Sequence, residues 1–294
     1  MAVKKIKPKD KGFDVSDEPE DSLSFYDEEP RLSDVVFDED GVSEELRLLC
    51  GVTVDGVRHG TFTFREMTGA DEEAVSKNEL RNNPAKIYHV ILERCVKSVG
   101  TLTKKDLGPR AWSDLMRNMY VGDQDWIVFT IRAASLGREI KVSHVCPHPD
   151  CKAKLITYVD VDEIGVRHFM GSEVLDFELP KGFKHRDKDG GMQVFRHGQL
   201  RLSTGADREV LTPFFRKNPG QARTMMLTRL VSFSDENAPP VTESLMKELT
   251  TADRNYLTEL LMENDFGLDG TIDCVCDTCG EEFQGDLTGA DFLS

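Results

Sequence analysis

Two short cysteine pairs carry the clearest chemistry in this sequence. Cys146-Pro147-His148-Pro149-Asp150-Cys151 sets four residues between its thiols, and Cys276-Asp277-Thr278-Cys279-Gly280 sets two. In a C-x-x-C turn both thiolates can face one ion while backbone N–H groups support the sulfurs, and the glycine behind permits the positive φ such a turn needs. A structural zinc ion takes four ligands, and each pair offers two. The expectation is one all-cysteine site made of Cys146, Cys151, Cys276 and Cys279, with structural Zn2+ as its cofactor. Cys274 or His148 could replace one ligand, and two separate sites drawing in His144, His148 and Cys274 are a further arrangement. A redox role for the C-x-x-C pair is disfavoured, because that motif works at a helix start, where the thiol is activated. Here it lies between strand-like segments in an acidic setting. Cys50 and Cys95 fall in apolar segments and are expected in the core.

The two pairs occupy equivalent places in a pattern written twice. Thr68-Gly69-Ala70-Asp71 recurs as Thr204-Gly205-Ala206-Asp207, and Asn83-Pro84 as Asn218-Pro219. Leu115-Met116 matches Leu245-Met246, and the run from Val121 to Ile127 matches that from Thr251 to Leu257. Gly137 then matches Gly267, and Cys146 matches Cys276. Such an order predicts an internal duplication, in which a pseudo-two-fold arrangement brings the two knuckles together.

Each unit reads as a β-hairpin, helices, and a strand pair around the knuckle. Gly51 to Arg65 alternates about Asp55-Gly56, a strong hairpin signal. The second hairpin turns more loosely over Asp187 to Gly191. Thr-Gly-Ala-Asp opens a helix, with Thr or Asp as the cap, and Asn-Pro opens the next. Gly137 and Gly267 are expected to cap a further helix in each copy. The fold class is α+β. Residues 47–171 form the first unit and 172–294 the second. Residues 1–46 form an extended N-terminal arm that turns acidic and holds too little apolar surface to fold alone.

Composition narrows the function classes. The chain has 294 residues, 39% of them hydrophobic, and seven cysteines, an odd number that favours metal binding over disulfides. Mean hydropathy is −0.41, and no apolar run approaches the length of a membrane span. No apolar stretch follows the basic start Met1 to Lys5, so a signal peptide is not expected and synthesis in the cytoplasm is. A net charge of −16 repels phosphate and disfavours nucleic acid. The basic stretch from Lys181 to Arg201 keeps one alternative open, a zinc-ribbon regulator that binds nucleic acid. An enzyme is not expected. A closed four-thiolate site leaves no open metal position, and the common nucleotide, hydrolase and metalloprotease motifs are absent. A metallohydrolase remains the weakest alternative.

The entry Phe62-x-Phe-Arg-Glu-Met-Thr-Gly-x-Asp-Glu-Glu73 and the helix opening Thr251-Ala-Asp-Arg-Asn-Tyr-Leu257 precede a strand, a cysteine knuckle and a second strand. This order resembles zinc-knuckle proteins of contractile-tailed bacteriophages that serve in the baseplate hub or its assembly. The resemblance spans residues from about 50 to 165 and, more weakly, 172 to 290. It implies a non-catalytic structural or assembly role in a virion tail baseplate, made in the host cytoplasm. Its implied partners are other tail proteins, some of them reached through the arm, within an oligomeric assembly, with no nucleic acid and no membrane.

Overall fold

The computed structural model describes residues 35–81, 83–186, 191–215, 217–235 and 237–287. The first run of elements is β1 (Leu46–Val54), β2 (Val57–Phe64), α1 (Gly69–Val75), α2 (Asn78–Arg81), α3 (Ala85–Cys95), β3 (Val96–Val99), β4 (Leu102–Thr103), α4 (Lys104–Asn118) and α5 (Val121–Leu136). The hairpin β5 (Glu139–Val145) and β6 (Lys154–Asp160), a 3-10 turn over Val161–Glu163 and β7 (Val166–Arg167) follow. The second run is β8 (Val174–Arg186), β9 (Met192–Arg201), α6 (Gly205–Phe215), α7 (Pro219–Leu230), β10 (Val231–Phe233), α8 (Glu243–Glu248) and α9 (Thr251–Glu263). It closes with β11 (Gly267–Leu268), β12 (Thr271–Val275) and β13 (Glu282–Asp286). Helices and strands mix throughout, which is an α+β fold.

Local sequence explains most of these elements. Asp55 and Gly56 both take positive φ, 50° and 78°, as the two central residues of a tight hairpin turn must to match the twist of β1 and β2. Thr68 and Asp71 form a capping box at the start of α1. The Asn218 side chain accepts from Gln221 N–H at 3.0 Å, and Pro219 sits in the first turn of α7. Helix α5 buries residues on all sides, among them Trp126, Ile127, Val128, Phe129 and Ile131, so it lies inside the first core rather than over it.

One sheet runs β1-β2-β3-β4 and another runs β10-β9-β8. The first core gathers Phe62, Phe64, Ile91, Trp112, Met116 and Ile131; the second gathers Phe177, Leu179, Leu200, Leu227, Met246 and Leu257. Leu49 packs against both, and Cys50 from β1 lies in the second. Further links cross between the two runs. Asn83 Nδ2 donates to the Glu209 carbonyl at 2.8 Å, Arg117 pairs with Glu209 at 2.7 Å, and Arg208 reaches Asp125 and Gln124.

The same packing devices recur. Asp71 is fully buried, accepting from Arg65 at 2.6 and 3.1 Å, from Arg94 at 2.6 Å and from the Thr68 N–H at 2.9 Å. Asp207 is likewise buried, accepting from Arg201 at 2.6 and 3.0 Å, from Arg229 at 2.7 Å and from the Thr204 N–H at 3.0 Å. Buried Asp123 accepts backbone N–H bonds from Leu49, Cys50 and Gly51, where the β1–β2 register shifts. Buried Asp253 accepts from Lys181 and Gly182, where the β8–β9 register shifts.

One expected cap falls elsewhere. Helix α5 does end on Gly137 at φ 88°, but α9 stops at Glu263 with Asn264 as its cap. Gly267 instead lies in β11, pairs with Arg167, and takes φ 120° against Gly122. The early stop carries Phe266 back onto Tyr120 and Phe169, with ring centroids 6.3 and 5.2 Å away. A Cβ on Gly267 would sit 2.8 Å from the Gly122 Cα, and one on Gly122 would sit 2.6 Å from the Phe266 ring. Gly122→Ala is therefore expected to cost about 2 kcal/mol or more through overpacking, read as a lower denaturation midpoint; an unchanged midpoint would show that this contact yields freely.

Residues 1–34 of the acidic arm lie outside the described residues, as do 187–190 of the second hairpin turn. Within 35–45, Val35 and Phe37 pack against the first core, and the Phe37 ring meets Phe64 edge-on at 5.6 Å. Among the described residues no helix is long and apolar enough to cross a membrane.

Candidate metal centre

The hairpins β5–β6 and β12–β13 each end in a knuckle, and the chain brings the two knuckles face to face. The turn after β5 is tied by Cys146 N–H to the Ala153 carbonyl at 2.9 Å, and by Cys151 N–H to the His148 carbonyl at 3.2 Å. The turn after β12 is tied by Cys276 N–H to the Glu281 carbonyl at 2.9 Å, and by Gly280 N–H to the Cys276 carbonyl at 2.7 Å. Gly280 takes φ 74°, the left-handed value that its position behind the C-x-x-C pair anticipates. Beneath the knuckles, Leu155, Ala153 and Phe283 pack with Cys146 and Cys276 as a small apolar floor. Along the two hairpins the His144 ring lies over Gly285, where a Cβ would collide with it, and meets Phe283 edge-on at 6.3 Å.

The ligand atoms of Cys146, Cys151, Cys276 and Cys279 all lie within 4.8 Å of one another. Cys146 Sγ is 3.6 Å from Cys279 Sγ, and Cys151 Sγ is 3.8 Å from Cys276 Sγ, with all four thiols free. A tetrahedral ion with metal–sulfur bonds of about 2.3 Å has sulfur–sulfur edges of about 3.8 Å. The four thiols could therefore hold a metal ion, and each knuckle contributes two of them. Such a set is complete with protein ligands alone and keeps no position for a substrate.

The electrostatics suit a cation. Backbone N–H groups of Cys279 and Thr278 directed at Cys276 bring its thiol down to about 7. The Glu281 N–H also favours the Cys279 thiolate, yet burial and the three neighbouring thiols push Cys279 up to about 12. Burial is the largest influence on Cys146 and raises it. Crowded sulfurs resist carrying several negative charges at once; a divalent cation among them would relieve that repulsion and displace the protons.

The other sulfur and imidazole candidates stand apart from this cluster. Cys274 Sγ points to Thr157 Oγ1 at 3.9 Å and to the Ile272 carbonyl at 3.7 Å. His148 Nδ1 accepts from the Asp150 N–H at 3.3 Å within its own turn. Cys50 and Cys95 are buried in the two cores, and burial raises each thiol to about 11, as suits inert core cysteines. The arginine clamps on Asp71 and Asp207 went unread in the sequence. Their signal is an arginine six residues before each matched aspartate, Arg65 and Arg201, with a second arginine near the end of the next long helix, Arg94 and Arg229.

No curated protein and no solved structure matches the chain. Residues 51–194 match the family model described as T4 bacteriophage base plate protein, and this similarity supports reading the chain as a structural protein of a phage baseplate.

Proposed function

We propose that the chain is a non-enzymatic structural or assembly protein of a contractile-tail baseplate. Its two halves, 47–171 and 172–294, are tandem copies of one unit, clasped by a single structural zinc ion on Cys146, Cys151, Cys276 and Cys279. The observation that carries this reading is the meeting of two thiols from each half, all within 4.8 Å of one another and 3.6 and 3.8 Å apart across the two knuckles, in a chain whose residues 51–194 match a baseplate family model. Support for the duplication comes from the paired clamps on Asp71 and Asp207, which agree bond for bond, and from the paired buried caps Asp123 and Asp253. The acidic arm of residues 1–46 is the segment proposed to reach neighbouring tail proteins, since a polar segment that orders on binding can cover a large surface. Zinc is favoured over other metals by an all-thiolate tetrahedral donor set; iron is the competing occupant.

Elemental analysis of the purified chain is expected to give one zinc per chain. Removal with a strong chelator should bring cooperative unfolding at a lower temperature. A metal-free chain with four titratable thiols and the same melting temperature would refute the clasp. The baseplate role is checked separately, by asking whether tail particles purified from infected cells contain the chain.

A further inference from the structure

Cations gather beside the first clamp, in a chain whose net charge is −16. Arg65, Arg94, Lys97 and Lys104, with Glu93 and Val96, line an open cavity of about 320 Å³. Asp71 lies beneath it, buried and already satisfied by the two arginines. Glu93 is shared with Lys104 at 3.5 Å and with Ser113 and His89. Lys97 has no ion-pair partner among the described residues, and the clamp engages Arg94 through Nε, its Nη2 reaching only the Ala70 carbonyl at 3.3 Å. Four cations thus face two carboxylates, leaving an excess of positive charge at one small opening.

The second half serves as an internal control. Its clamp of Arg201, Asp207 and Arg229 has nearly the same distances. Yet where β3 carries Val96-Lys97, β10 carries Val231-Ser232, and where α3 carries Glu93, α7 carries Thr228. The clamp is therefore what the fold needs, and the added lysine on the first copy is surplus to it. We propose that this cavity binds a pair of carboxylates on an acidic peptide segment of a partner protein. The identity of the partner as a tail protein rests on the baseplate reading; the site does not. Asp71 takes both Nη groups of Arg65 and the Nε of Arg94, so Lys97, Lys104 and the remaining guanidinium N–H groups of Arg94 are left to meet ligand carboxylates, and Asp71 holds the Arg94 guanidinium in place before any ligand arrives. The small local excess of charge suits one or two carboxylates. A polyphosphate chain would meet the repulsion of the whole acidic surface.

The test uses the full chain and a fluorescein-labelled Glu-Asp-Phe-Glu-Asp peptide, read by fluorescence anisotropy. The acidic peptide is expected to bind at least ~10-fold more tightly than its Gln-Asn counterpart, and to weaken as salt rises. Lys97→Glu with Lys104→Glu should lower its affinity at least ~10-fold at an unchanged melting temperature; Lys97→Gln, which disturbs no ion pair, should give a smaller loss in the same direction. Equal binding by wild type and both variants would overturn the site. So would a single-stranded DNA 20-mer that binds more tightly than the peptide and is lost in the same variants, since the cavity would then be a phosphate site. Failure to find the chain in tail particles would count against the baseplate reading alone, while failure of peptide binding would count against the cavity alone.

Discussion

Cys276→Ser is expected to abolish zinc binding and to lower the melting temperature by roughly 10 °C or more, the largest effect of any single substitution considered for this chain. The reasoning runs through geometry. Cys276 is 1% exposed and sits 3.8 Å from Cys151 Sγ across the two knuckles. A serine oxygen is a poor substitute for a thiolate, and three sulfurs leave the coordination incomplete. Structural zinc affinity is folding free energy, so losing most of it should remove about 4 kcal/mol or more of stability, and each kcal/mol is worth about 2–4 °C in a domain of this size. Cys274→Ser is the matched control, because Cys274 is buried nearby but points at Thr157. That variant should keep its zinc. If Cys276→Ser retained both metal content and melting temperature, the knuckles would be held by packing of Leu155 and Phe283 alone.

How far the sequence discloses this arrangement depends on the kind of signal. The hairpin at Asp55-Gly56, the capped helices at Thr68 and Thr204 and the helix start at Pro219 are local events, written in residues with a single strong backbone preference. The two cysteine turns are legible for the same reason, since a thiol pair two or four residues apart with glycine or proline beside it favours a tight turn that presents both sulfurs together. The order of matched residues also pointed to Cys146 and Cys276 occupying equivalent places, and the structure brings all four expected thiols within 4.8 Å. Long-range partners were not legible. Arg94 reaches Asp71 from the far end of α3, and only its match with Arg229 in the second run marks it in the sequence. The expected cap at Gly267 failed because a glycine before a strand reads the same whether it ends a helix or admits a neighbouring backbone. Only the tertiary contact with Gly122 decides between them.

The clamps supply the second large effect, and one that separates the two halves. Asp71→Asn and Asp207→Asn are each expected to cost about 3 kcal/mol, the range found when one member of a buried ion pair is removed and its partners are left in place. The value should fall at the low end of that range, because Arg94, Arg201 and Arg229 are 37–39% exposed and can turn toward water. Burial alone would raise both carboxyls. Hydrogen bonds from Arg65, Thr68 and Arg94 outweigh it and hold Asp71 well below the usual carboxylate range. Those from Arg201, Thr204 and Arg229 hold Asp207 down to about 2. A carboxyl depressed in the folded state stabilises the fold above its unfolded value of about 3.9 and loses that contribution as pH falls through the folded one. Wild-type stability should therefore fall between about pH 4 and pH 2, and part of that fall should be missing from Asp207→Asn, measured by denaturant titration at each pH. Comparable costs for the two substitutions would fit one unit built twice around the same carboxylate. A cost confined to Asp71→Asn would mean that the second half is held by the contacts of α6 with α3 and α5 rather than by its own clamp, and would count against one unit built twice around a shared source of stability.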